Sequence, residues 1–91
     1  MKTCKEIFGK DDIQIKNVGG VRLLDKAGIE ELIYDAYGVR LSLKLAFTEQ
    51  EWNESSDCEF TKARYYCDEY DISIIAVSED ESNILEYVYI F

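Results

Sequence analysis

The chain has 91 residues, 47% of them hydrophobic and 13% aromatic, with no proline. That is material for one compact domain over residues 1–91 rather than for a disordered segment. Nineteen acids against ten bases give a net charge of -9, so nucleic acid and anionic membrane are repelled. Histidine is absent, which excludes every triad, zinc motif or general base that needs an imidazole.

Met1 to Phe8 carries lysines but no apolar stretch of signal-peptide length. No run approaches the roughly 18–20 apolar residues of a membrane helix. Cys4, Cys58 and Cys67 form an odd set without a Cys-x-x-Cys pair. Buried, reduced thiols and a cytoplasmic location are therefore expected.

From Asp12 to Val18, Ile13 and Ile15 share a face at period two, which predicts a short strand, and Gly19-Gly20 ends it in a turn. After Asp25, a predicted N-cap, Ile29, Leu32, Ile33 and Ala36 follow the spacing of one helical face. Gly38 supplies the left-handed stop. Val39 to Phe47 then alternates, with Val39, Leu41, Leu43, Leu45 and Phe47 on one face and Arg40, Ser42, Lys44 and Ala46 on the other. This predicts a strand with one wet side.

Thr48 to Tyr70 carries two conflicting signals. Thr48 with Glu51 and Ser56 with Glu59 match capping boxes, and Phe60, Ala63, Tyr66, Cys67 and Tyr70 fall on one helical stripe. Those features favour a helix from about Asp57. Against it, Tyr65-Tyr66-Cys67 is β-prone, and Asp68-Glu69 sits badly at a helix C-terminus. Ile72 to Val77 and Ile84 to Phe91, separated by the polar 78–83, read as an antiparallel hairpin whose strands are central or covered. The expected fold class is α+β, an antiparallel sheet of about four strands with one or two helices packed on one face.

Charge is spread unevenly. Residues 1–46 hold seven acids and eight bases; residues 47–91 hold twelve acids and only Lys62 and Arg64, a net of -10. Within that half eleven of the twelve acids fall in three groups: Glu49, Glu51, Glu54, Asp57 and Glu59; Asp68, Glu69 and Asp71; and Glu79, Asp80 and Glu81. They are expected in loops or at element ends, where they would either solvate a face or complement a basic partner. Trp52, inside the first group, is the candidate anchor, with Tyr65, Tyr66 and Tyr70 beside the second.

Catalytic and ligand motifs are wanting. Among nineteen acids some pair always fits a glycosidase spacing, so that signal carries nothing. Residues 78–83 lack the alternation and glycine of a calcium loop, and Val18-Gly19-Gly20-Val21 lacks the lysine of a phosphate loop. Lys2, Lys5, Lys10 and Lys16 lack the aromatic interleaving of a nucleic-acid platform. The reading is a non-enzymatic binding protein, with no cofactor and no metal site, that occupies a basic surface on a nucleic-acid-binding protein.

In size, acidity and want of motifs the chain resembles the small inhibitors of phages and mobile elements, such as anti-CRISPR proteins and DNA mimics. The resemblance is one of composition and carries over no residue. It implies a stoichiometric inhibitor that keeps DNA or guide RNA from its effector. Two other readings stay open: an immunity protein or antitoxin against a basic nuclease, and a self-associating module whose C-terminal strand, Ile84 to Phe91, would be an exposed edge if unpaired and would then pair into a homodimer.

Overall fold

The computed structural model describes residues 1–17, 19–53, 58–78 and 83–91, with 51–53 and 58–60 described by their backbone. In chain order the elements are α1 (Cys4–Phe8), β1 (Ile13–Lys16), α2 (Lys26–Tyr37), β2 (Leu43–Asn53), β3 (Cys58–Cys67), β4 (Ser73–Ser78) and β5 (Tyr87–Ile90). The strands form one sheet in the order β1-β5-β4-β3-β2, antiparallel at every step. The α+β class holds, with five strands in place of about four.

Register divides the sheet into two faces, because alternate side chains point to opposite sides. On one, Ile15, Val88, Ala76 and Ala63 form a row across β1, β5, β4 and β3, and Ile13, Ile90, Ile74 and Tyr65 form the next. All eight are buried and pack with Ile29 and Ile33 of α2, Cys4 of α1, and Leu23, Leu41 and Leu85 from the connections. This is the core.

α2 forms where the helical spacing places it. The Asp25 carboxylate accepts from the N–H of Gly28 at 3.0 Å, and Gly38, at φ 70°, ends the helix by donating to the Tyr34 carbonyl. Ile29 and Ile33 are fully buried and Leu32 half so, but Ala36 at the last turn is exposed. Gly28 is required by close approach. A Cβ there would lie 2.6 Å from the Asp25 carboxylate and 2.9 Å from Val21, so the helix starts tightly only because that position has no side chain.

Two connections are tied by single side chains. Asn17 donates its amide N–H groups to the carbonyls of Val21 and Leu85, at 3.0 and 2.7 Å, and its oxygen accepts from Gly19 and Val21. One amide thereby fastens the turn after β1 to the approach to β5. Tyr65 buries its ring and donates its hydroxyl to the Leu23 carbonyl at 2.9 Å, satisfying both groups in the interior.

The structure corrects the sequence reading in four places. Residues 58–67 are a strand, not a helix. Buried Ala63, Tyr65 and Cys67 alternate with exposed or half-buried neighbours, and pairing with both β2 and β4 outweighs the helical stripe. The strand after Val39 begins only at Leu43 and runs on to Asn53 through the supposed capping box. A bulge between Leu45 and Phe47 also breaks its alternation. Leu41 and Leu43 are buried, while Leu45 and Phe47 are 48% and 52% exposed. Finally, β5 is central, between β1 and β4, as its apolar character implied, so the edge on which the self-association reading depended is absent there; the edges are β1 and β2.

α1 was not foreseen. Its five residues are too few to nucleate alone, and are held by a capping box between Thr3 and Glu6 and by Gly9, at φ 80°. That Thr3-x-x-Glu6 spacing was the signal available in the sequence.

Candidate functional site

The other face of the sheet carries no described element. Its rows run Lys16–Tyr87–Val77–Lys62–Glu49, then Gln14–Tyr89–Ile75–Arg64–Phe47, both across all five strands. A third joins Phe91, Ser73, Tyr66 and Lys44. Val77, at the centre of the first row, is buried; Ile75, Tyr87 and Tyr89 are half-buried. Phe47 is 52% exposed, Tyr66 42% and Phe91 41%. The bulge puts Phe47 here: the extra residue at Ala46 moves it from the side of Leu45 to the side of Arg64.

The apolar residues of this face are mainly rings. The Tyr89 and Phe91 centroids are 5.5 Å apart, and the Arg64 guanidinium lies 5.5 Å from the Phe47 centroid. A shallow hollow of about 280 Å³ lies among Phe47, Arg64, Tyr66, Ile75 and Phe91.

Two of the cations on this face are paired. Arg64 donates to Glu49 at 2.8 Å, and Lys44 pairs with Asp68. Partial burial and a hydrogen bond to Asp12 push the Tyr89 phenol up. The arrangement is an apolar, largely aromatic centre with the Arg64–Glu49 and Lys44–Asp68 ion pairs beside it. A phosphate chain would have to break those ion pairs to be bound.

Of the three acidic groups, the side chains of Glu49, Asp68, Glu69 and Asp71 are described. Of the first group, Glu49 and Glu51 lie in β2 and Glu59 in β3, Glu51 and Glu59 near the strand ends and Glu49 farther inside. Glu49 is half-buried against Arg64. The side chains of Glu51, Trp52 and Glu59 lie outside the described residues, as do Glu54, Asp57, Glu79, Asp80 and Glu81 altogether. Asn53, Cys58 and Ser78 stand at one end of the sheet. Asp68, Glu69 and Asp71 are exposed at the other end, beyond the ten residues of β3, roughly 30 Å away at about 3.3 Å per residue. Tyr65 is a core residue and Tyr70 packs at the core's margin, leaving Tyr66 as the tyrosine of that trio on the open face.

Sequence reading missed Phe47, Ile75, Tyr87, Tyr89 and Phe91. The last three carried a readable signal, since aromatic Tyr87, Tyr89 and Phe91 alternate with aliphatic Val88 and Ile90. Phe47 carried none, because the bulge that turns it is set by pairing with β3.

Cys4 and Cys67 are buried and free, and burial pushes both thiols up, away from the reactive thiolate. Among the described residues no group of three or more Cys, Asp or Glu side chains is placed to hold a metal ion, and no helix is long and apolar enough to cross a membrane. Comparison with protein-family models, with curated proteins and with solved structures gives no match.

Proposed function

We propose that this chain is a non-catalytic binding protein that docks through its open sheet face onto a basic protein and inhibits it. The target class is a nucleic-acid-binding protein or ribonucleoprotein, whose basic surface the chain occupies. The observation that carries the docking role is the open face itself: exposed Phe47, Tyr66 and Phe91 around half-buried Ile75, Tyr87 and Tyr89. Aromatic side chains of this kind dominate the energetics of protein interfaces.

The sign of the partner follows from charge. A net of -9, with the excess in residues 47–91, accelerates encounter with a basic surface and disfavours an acidic one. Arg64 and Lys44, already paired on the face, favour a protein over a nucleic acid as the bound species.

The test uses the full chain as bait in its native host, with Phe47→Ser/Tyr89→Ser as the matched variant. The parent should capture a basic protein that the variant loses by at least about tenfold, the loss of one or more anchor residues. Added to that protein's complex with DNA or RNA, the parent should release the nucleic acid in a mobility-shift assay. Equal capture by the variant overturns the face as the docking surface. Capture without release overturns inhibition by occupancy.

A further inference from the structure

β4 is the middle strand of the five, with β5 and β1 on one side and β3 and β2 on the other. A twofold axis laid along β4, above the open face, therefore seats a second copy with its β3 over β5 and its β2 over β1. Strands of the two sheets then run within about 30° of each other, as in aligned sheet packing.

Register fixes which residues meet. On the axis Ile75, Val77 and Ser73 each face their own counterpart. Off it, Tyr89 lies over Arg64, Tyr87 over Lys62 and Phe91 over Tyr66. At the margins Gln14 lies over Phe47 and Lys16 over Glu49. Lys44 lies over Asp12, which precedes Ile13 and bonds Tyr89. Among these residues aliphatic meets aliphatic, rings meet cations, rings or an amide, and no charge meets its like. The other in-plane axis, across the strands at Ile75, keeps each strand over itself and sets Arg64 on Arg64, a like-charge contact.

The ion pairs within each chain stay intact in this contact. Arg64 donates to Glu49 through Nε at 2.8 Å, in the plane of the guanidinium, and a planar cation held that way still offers its face to a ring. Phe47 of the same chain already lies 5.5 Å from it. The copy adds Tyr89, Phe91 and Ile75, each exposed or half-buried, over groups that keep their partners. What selects a second copy is that the face is its own complement, row by row.

Size sets the strength. Strands about 4.8 Å apart and rows about 6.6 Å apart give the face roughly 500 Å², against about 800 Å² per partner in a standard interface. A net charge of -9 on each copy opposes the approach as well. We infer that the open face associates with a second copy about a twofold axis along β4, as a weak dimer that salt tightens. This goes beyond the docking role and does not depend on it; copy and partner compete for one surface.

The experiment is sedimentation equilibrium on the full chain alone, from about 20 μM to about 1 mM, in the range of weak dimers. The mass should rise from monomer to dimer, and Kd should fall at least about twofold between 0.05 and 0.5 M salt as the net repulsion is screened. Tyr89→Arg, which sets a cation over Arg64, should weaken the dimer at least about tenfold. Adding Arg64→Tyr exchanges ring and cation and should restore most of that loss. In the parent, amide shifts that depend on concentration should fall on Ile75, Val77 and Tyr89 and spare α2. A chain that stays monomeric at about 1 mM overturns the inference. So does a dimer whose shifts lie on Thr48 and Gln50 of the β2 edge, or one that the exchange of ring and cation leaves weak. No partner is present in these measurements, so they fail or succeed independently of the capture experiment.

Discussion

The two faces of this sheet are made by the same five strands, and neighbouring residues meet opposite fates on them. Tyr65 is 2% exposed with its hydroxyl bound to a buried carbonyl; Tyr66, one residue on, is 42% exposed. Val88 and Ile90 are fully buried beneath the helices, while Tyr87 and Tyr89 between and before them are half open. The covered face is mostly aliphatic and closes around α2, as a core must to reach interior packing density. The open face is aromatic with paired charges, a composition that tolerates water yet releases it readily to a partner. One face holds the core, and the other is the face to which we assign the proposed recognition.

The largest expected effect tests that division directly. Ile33→Ala, beneath the sheet, should cost about 2–5 kcal/mol in urea denaturation. Phe47→Ala, on the open side, should cost under about 1 kcal/mol, since it forfeits chiefly a peripheral cation–π contact. Equal losses would mean that both faces are structural.

A finer comparison uses adjacent tyrosines. Tyr65→Phe leaves the Leu23 carbonyl without its donor and should destabilise by about 1–3 kcal/mol. Tyr66→Phe should stay within about 0.5 kcal/mol of the parent. Thermal midpoints of the two variants suffice to separate them.

The smallest effect is one of pH. Burial raises Cys4, Cys67 and Tyr65 in the folded state. The unfolded chain therefore loses these protons first, and stability falls as pH rises from the ordinary thiol value of about 8.5 toward the raised folded values. Below that range these groups contribute no slope. Urea midpoints at neutral and alkaline pH should show the decline, and Cys67→Ala should reduce it.

Much of the fold was legible because local patterns and tertiary demands agreed. Asp25, the Ile29–Ile33 stripe and Gly38 define α2 from cap to stop, and the Ile13/Ile15 alternation marks β1. The two apolar runs after residue 71 are the antiparallel strands β4 and β5, central as their apolar character implied. β3 was not legible, because Ala63 and Cys67 fit period two and period 3.6 alike. The open face was half legible, in the alternation of Tyr87, Val88, Tyr89, Ile90 and Phe91. Its other half waits on the bulge at Ala46, and of the acidic residues prominent in composition Glu49 is tied to Arg64 while Asp68, Glu69 and Asp71 stand exposed beyond the end of β3.

What the chain determined by itself is whatever depends on near neighbours: the caps and stripe of α2, the alternation of its aliphatic strands, the net charge and its skew toward the second half. Only the tertiary structure decided which strand is an edge, which way Phe47 turns and which face stays open. Those outcomes depend on pairing partners distant in sequence, such as β1 with β5, and a hydrogen-bonded ladder can override any pattern read along one strand.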